Sequence, residues 1–280
     1  MTTHEADGQR PVAVVTGAAG ALGSCIVQSL ARSGYHVVGL DRDEAALEQA
    51  HAVWREAGLV STGTKTVDQT DRGAVESAFA EIREELGRID GLVANAGYAK
   101  FSSILDMPAA TWQRHVDVNL NGTFHMLQVS AQAMATARRG GWITLISSNL
   151  STTHSDQVGA YCVTKAALNH LAQSAAAELG VHRIRVNVVL PGVVETAMTS
   201  GMLTQPGVRD GLLALTPLGR LGAAADVADA VAYLASPQAS WITGAQLVVD
   251  GGQSIYGQPA WLRQDRTVPH EPDWVTGYPS

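Results

Sequence analysis

Three polar side chains in one stretch, SNLSTTHSDQVGAYCVTK from Ser148 to Lys165, form a set that can handle a proton. Tyr161 follows Ser148 by thirteen residues, and Lys165 follows Tyr161 by four. Four residues is one helical turn, so the phenol and the ammonium would project from one face. A free phenol titrates near pH ~10, too high for a good base at neutral pH. An ammonium beside it would stabilise the phenolate and bring that value down. A serine hydroxyl would hold an alcohol or carbonyl oxygen in place. The chemistry that fits is oxidation of a secondary alcohol, or its reverse, which also needs a hydride carrier.

A place for that carrier stands near the N-terminus. The turn TGAAGALG, with Gly17, Gly20 and Gly23, lies between a β-branched run (VAVVT, 12–16) and a helical pattern. A glycine-rich turn there lets the backbone approach a pyrophosphate, and the helix dipole favours its charge. The spacing is longer than the usual three-glycine fingerprint, and a tight strand–helix turn without a ligand is the competing interpretation. Asp41 ends the second apolar run, 24 residues after Gly17, where a carboxylate can bind the adenosine ribose hydroxyls and repel a 2′-phosphate. No basic residue lies within the turn, and Arg42 is the one neighbour that argues the other way. NAD is therefore expected over NADP.

The elements that must position these residues alternate. Short runs at 12–16, 36–40, 64–67, 91–94, 142–147, 185–190 and 246–249, mostly apolar, read as strands. Helical patterns at 24–33, 44–57, 72–86, 108–138, 160–179 and 225–235 lie between them. Such alternation predicts parallel pairing through right-handed crossovers, with helices on both faces. The expectation is one doubly wound α/β domain with a seven-stranded parallel sheet over residues 11–252. Residues 197–220, rich in Gly, Pro, Thr and Met, read as an irregular substrate lid. Residues 1–10 read as a loose polar segment. Residues 253–280, with Trp261, Trp274 and four prolines, read as an extended arm that either packs against its own or a neighbouring subunit or stays disordered.

Composition excludes several classes. The chain has 280 residues, 46% hydrophobic and 16% charged, with room for a sizeable core. Its net charge of −7 and lack of a basic stripe argue against nucleic acid or an anionic membrane as partner. No apolar run reaches the ~18 residues of a spanning helix, and the N-terminus is not a signal peptide. Two cysteines, Cys25 and Cys162, read as reduced thiols in a cytoplasmic protein. The nine histidines show no ligand spacing, so no catalytic metal is expected.

Taken in order, these motifs resemble the short-chain dehydrogenase/reductase family in its NAD-preferring form, over about residues 11–252. The glycine turn matches the family's TGxxxGxG pattern except that Ala21 replaces the middle glycine. ANAG (94–97) corresponds to NNAG with Ala94 first, VNLNG carries Asn119, Tyr161 and Lys165 form YxxxK, and Pro191-Gly192 is followed by Thr196. The resemblance implies an oxidoreductase acting on a small alcohol or ketone, with Tyr161 as acid/base, Lys165 as its tuner and ribose ligand, and Ser148 as the substrate's hydrogen-bond partner. It implies that Asn119 holds a water linking Lys165 to solvent. For the cofactor it assigns Gly17, Gly20, Ala21, Leu22 and Gly23 to the pyrophosphate turn, and Asp41 and Arg42 to the ribose end. It assigns Asp68 and Gln69 to the adenine ring, Asn95, Ala96 and Gly97 to the adenosine side, and Pro191, Gly192, Val194 and Thr196 to the nicotinamide end. It also implies a homo-oligomer, dimer or tetramer, paired through the helices near 110–138 and 160–179.

Other positions stay open. Asn149, His154 and Gln157 lie between Ser148 and Tyr161 and are candidates for the substrate pocket, with a surface loop as the alternative. Asp68 could instead cap the next helix, and Asn119 could bond within its own. Two further activities compete: an NADPH-dependent 3-ketoacyl thioester reductase, and a non-catalytic dinucleotide-binding protein. The four intact residues Asn119, Ser148, Tyr161 and Lys165 argue against the second.

Overall fold

The computed structural model describes residues 10–255. Seven parallel strands form one sheet in the order β3-β2-β1-β4-β5-β6-β7. They are β1 (Val12–Thr16), β2 (His36–Asp41), β3 (Thr62–Thr66), β4 (Gly91–Ala94), β5 (Gly141–Ile146), β6 (Ile184–Pro191) and β7 (Gln246–Val249). The doubly wound architecture is the one that the alternating pattern predicts. β1 and β4 are buried along their whole length, as strands covered on both faces must be.

Helices cover both faces. On one, α1 (Ala21–Arg32), α2 (Glu44–Glu56) and α9 (Ala224–Ala235) pack Ile26, Leu30, Trp54 and Val231 against the sheet. On the other, α3 (Arg72–Leu86), α5 (Thr123–Ala137) and α6 (Gly159–Leu179) contribute Phe79, Ile82, Met126 and Leu168. The chain builds outward from β1 to β3, then α3 returns it to β4 beside β1. That reversal opens a crevice beyond the carboxyl ends of β1 and β4, where ligands of open α/β sheets bind.

Three regions depart furthest from the sequence expectation. Helix α1 begins at Ala21, three residues early, because the small Gly23 fits inside its first turn. The long 108–138 region is α4 (Ala109–His115), a π-helical segment Val116–Gly122, and then α5. Residues 197–220 are not irregular throughout: α7 (Ala197–Leu203) and α8 (Val208–Leu215) form within them. A capping box between Thr196 and Thr199 starts α7, and Gly207 with φ 77° turns the chain into α8. Gly201 and Gly211 lie inside these helices and mask the helical period, while Pro206 and Gly207 mark the turn between them. The expected arm, from residue 256 onward, lies outside the described residues.

Candidate active site

The ends of β1 and β4 are tied together before any ligand is considered. The Thr16 hydroxyl accepts from the N–H groups of Asn95 and Ala96 at 3.0 and 2.9 Å, and Asn95 Nδ2 donates to the Thr16 carbonyl at 2.9 Å. Gly17 leaves this junction with φ 64°, and a methyl there would lie 2.9 Å from Ala96 Cα. Glycine is required by both conformation and space. The chain then enters α1 through Gly20, which offers no side-chain cap, and the first turn holds no acidic residue. The uncapped N–H groups at the positive end of α1 open onto a cavity of about 390 Å³.

One wall of this cavity is the turn from Gly17 and Gly20 through Ala21, Leu22 and Gly23. Beyond it stand Asp41 and Arg42. The Asp41 carboxylate accepts from the N–H groups of Ala19 at 3.1 Å and Asp43 at 3.2 Å, which fixes it at the end of β2. Asp68 and Gln69 follow. Burial pushes the Asp68 carboxyl up, but the Thr70 N–H and hydroxyl, with Arg114 and Arg42 nearby, outweigh this and hold it below its ordinary value. The residue that caps α3 is Asp71, whose carboxylate accepts from Ala74, so the capping alternative for Asp68 does not hold. Gln69 donates through Nε2 to the carbonyls of Val118 at 2.8 Å and Ala96 at 3.4 Å, so its amide braces the wall it lines. Asn95, Ala96 and Gly97 form the floor, and Pro191, Gly192, Val194 and Thr196 the far wall.

Ser148, Tyr161 and Lys165 meet at this far end, as their spacing suggests. Lys165 is 3% exposed, and its ammonium donates to the Ile146 carbonyl at 2.7 Å, 5.5 Å from the Tyr161 ring centre. Burial lowers it to about 8. Burial pushes the Tyr161 phenol up to about 12, against the opposing pull of a hydrogen bond with Ser148. The Lys165 ammonium lies over the ring and is bonded to a backbone oxygen, and burial outweighs any lowering of the phenol by its charge. Tyr161 is thus held protonated at neutral pH, the form that delivers a proton. Ser147, one residue earlier than Ser148, is bonded to the Lys165 carbonyl at 2.9 Å and holds the helix in place.

Asn119 is fully buried, behind the cavity wall. Its Oδ1 accepts from the Tyr98 N–H at 2.7 Å, and its Nδ2 donates to the Tyr98 carbonyl at 2.9 Å and the Thr164 hydroxyl at 3.0 Å. Both amide hydrogens are in use, so the side chain acts as a clamp on the 98–100 loop. The alternative of a bond within its own helix does not hold, because the partners lie across the site. A methyl on Gly97 would lie 3.5 Å from Lys165 Nζ and 3.6 Å from Asn119 Oδ1, so glycine keeps the floor thin where these groups converge.

The three substrate candidates fall outside the cavity wall. Asn149 is turned away and donates to Gln253 Oε1 at 3.1 Å and Asp250 Oδ2 at 3.4 Å. His154 is exposed, and Gln157, with φ 64°, gives its carbonyl to the Ser102 N–H. Residues that the sequence did not single out also line the cavity, among them Tyr98, Arg114, Ala197, Met198 and Thr199. Tyr98 follows Gly97 directly, and its ring packs edge-on against buried His115 with centres 4.7 Å apart. Its position in the motif was the available signal; α7 offered none, since its helix was hidden by glycine and threonine.

The uncapped α1 terminus, the fixed Asp41 and the glycine floor together fit a dinucleotide. Comparison with known proteins agrees. The family profile described as Enoyl-(Acyl carrier protein) reductase matches residues 17–254. Galactitol 2-dehydrogenase (L-tagatose-forming) of Cereibacter sphaeroides is 35% identical over 245 residues, 87% of this chain and 95% of that protein. The 3-oxoacyl-(acyl-carrier-protein) reductase FabG of Escherichia coli is 36% identical over 241 residues, 86% of this chain and 96% of that protein. The structure of a short-chain type dehydrogenase/reductase from Mycobacterium ulcerans superposes with a TM-score of 0.85 at 31% identity, covering 88% of this chain and 90% of that one. The chain therefore belongs to the short-chain dehydrogenase/reductase family of oxidoreductases, which bind a nicotinamide dinucleotide.

Proposed function

We propose that this protein interconverts a secondary alcohol and a ketone with NAD(H). The observation that carries the reaction class is the meeting of Ser148, Tyr161 and Lys165 at one end of a cavity whose other end is the uncapped α1 terminus. The fixed Asp41 carboxylate supports NAD, since a 2′-phosphate would lie against its charge. When bound, the dinucleotide supplies or accepts the hydride. Gly17, Gly20, Ala21, Leu22 and Gly23 would hold its pyrophosphate, and Asp41 its adenosine ribose. Asp68, Gln69, Asn95, Ala96 and Gly97 would line the adenine side, with Pro191, Gly192, Val194 and Thr196 at the nicotinamide.

In ketone reduction, the Tyr161 phenol gives its proton to the nascent alkoxide while the Ser148 hydroxyl holds the same oxygen by a hydrogen bond. In oxidation the proton returns to Tyr161. Lys165, buried and positive near neutral pH, stabilises the phenolate formed between these events. Asn119 serves as a positioning residue through its grip on Tyr98.

One observation favours a second reading. Arg42 stands beside Asp41 on the cavity wall, and FabG is 36% identical. This supports an NADPH-dependent 3-ketoacyl thioester reductase. The test supplies NAD and NADP separately at equal concentration with a panel of secondary alcohols, and NADH and NADPH with ketones and a 3-ketoacyl thioester. NAD(H)-linked turnover of alcohols or ketones is expected. Preference for NADPH with the thioester would replace the first reading by the second, and binding without any turnover would remove both.

A homo-oligomer belongs to the proposal. Trp112 on α4, Phe124 on α5 and Val163 on α6 leave large apolar surfaces exposed on the helices expected to pair. The two free thiols suit the cytoplasm.

A further inference from the structure

Behind the serine loop lies a polar junction that the chemistry above does not use. After β7 the chain turns through 250–253, and Asp250 fixes that turn. Its Oδ1 accepts from the Gly252 N–H at 2.8 Å and its Oδ2 from the Ser254 N–H at 2.8 Å. The turn presents Gln253, whose single amide is bonded to three separate segments. Oε1 accepts from Asn149 Nδ2 at 3.1 Å and from the Val193 N–H at 3.3 Å, and Nε2 donates to the Thr216 hydroxyl at 3.4 Å. Asn149 adjoins Ser148, Val193 adjoins Val194 on the cavity wall, and Thr216 closes α8.

The bonds form one directed chain. Asn149 donates to Gln253, Gln253 donates to Thr216, and the Thr216 hydroxyl donates to the Leu212 carbonyl in α8 at 2.7 Å. Each donor–acceptor step polarises the next. Asn149 is 6% and Thr216 3% exposed, so neither finds water if Gln253 leaves. Packing gives no slack: a methyl on Gly192 would lie 2.7 Å from Asp250 Cβ, and one on Gly251 would lie 2.9 Å from Thr216 Cγ2. On the other side, Asn149 opens the short 3₁₀ turn Asn149–Ser151, which the Ser148 hydroxyl caps by accepting from the Leu150 N–H at 3.1 Å.

We propose that Gln253 is a positioning residue that couples the seating of α7 and α8 to the placement of Ser148. With the helices seated, Thr216 fixes which way the Gln253 amide faces, and the amide in turn holds Asn149 and the serine turn. With them displaced, Gln253 loses its Thr216 acceptor, its amide is held through Oε1 alone, and its grip on Asn149 loosens. The coupling is reciprocal, so loosening Asn149 loosens the helices. The proposal rests on the reading that Ser148 orients the substrate.

Gln253→Met keeps the length and removes all three bonds. It is expected to lower kcat about tenfold while the KM for the dinucleotide changes less. Asn149→Ala and Thr216→Val, combined, should be non-additive in kcat/KM by about fivefold or more with Gln253 present, and additive in the Gln253→Met background. Additivity in both backgrounds overturns the proposal. A readout without substrate is backbone hydrogen exchange over residues 197–215, which Asn149→Ala should speed several-fold in the ligand-free protein. Unchanged exchange overturns the proposal even if turnover is intact. A wild-type protein that turns over nothing yet shows the exchange coupling overturns only the reading of the reaction. If Gln253→Met does not fold, the Asn149→Ala exchange measurement decides.

Discussion

At Lys165 burial works against the charge that the site uses. The ammonium has a single backbone acceptor, and its value falls from 10.5 to about 8. Below about pH 8 the native state carries a buried cation that the unfolded chain would keep in water. Between about 8 and 10.5 the native state has released this proton and the unfolded chain has not, so stability rises with pH across that window. The difference of about 2.5 units corresponds to about 3 kcal/mol at neutral pH. Lys165→Met should therefore be more stable than the wild type at pH ~7, and the advantage should vanish by pH 10.5, as urea unfolding at the two pH values would reveal. An unchanged gap would mean that burial does not lower the lysine in the native state. Tyr161→Phe should cut turnover about 10²- to 10⁴-fold. Titration calorimetry with NAD should find its binding little altered, because the cradle is built from other residues. Full activity in that variant would remove the proton-transfer role.

Two elements set the geometry around these residues. The first is the π-helical segment Val116–Gly122, flanked by α4 and α5. A wider helical turn is a common device at functional sites. Here it carries Asn119, which grips both backbone groups of Tyr98 and touches the Thr164 hydroxyl on α6. Asn119→Leu leaves those groups buried without partners and should lower stability by about 2–3 kcal/mol in chemical denaturation. The second element is the start of α1. A methyl on Gly23 would lie 2.0 Å from the Gly17 carbonyl oxygen, which is backbone and cannot swing aside. Gly23→Ala should therefore distort the phosphate turn and weaken dinucleotide binding about tenfold or more, with a lowered melting temperature. The middle position of the same turn carries the methyl of Ala21, at the first residue of α1 and on the cavity wall, so the turn accepts a side chain there.

On the scale of the whole molecule, the reversal between β3 and β4 decides where function lies. It leaves a crevice beside β1, and every segment that reaches it arrives by its own crossover. The exposed Trp112, Phe124 and Val163 lie on the helices of one face. If those helices pair, light scattering should give two or four times the mass of the chain, and a charged substitution such as Val163→Glu should shift it toward the monomer. A monomeric wild type would remove the oligomer from the proposal.

The sequence alone was enough for much of this. Buried parallel strands must be nearly continuous apolar runs, and that pattern marks the central strands, whereas the edge strand β3 (TGTKT) is polar and half-exposed. The YxxxK spacing places Tyr161 and Lys165 on one helical face because the helix repeat is local. Gly17 is legible because no other residue fits its place. Tertiary structure alone decided the rest. Asn149 could face the pocket or its back, and only the arrival of Asp250 and Gln253, about a hundred residues later, turns it away. The Lys165 ammonium could lie by the phenol oxygen, and only the packing of β5 gives it the Ile146 carbonyl instead. Side-chain direction, desolvation and partner choice depend on what packs from distant segments. A sequence states which groups are available, and the fold states which of them meet.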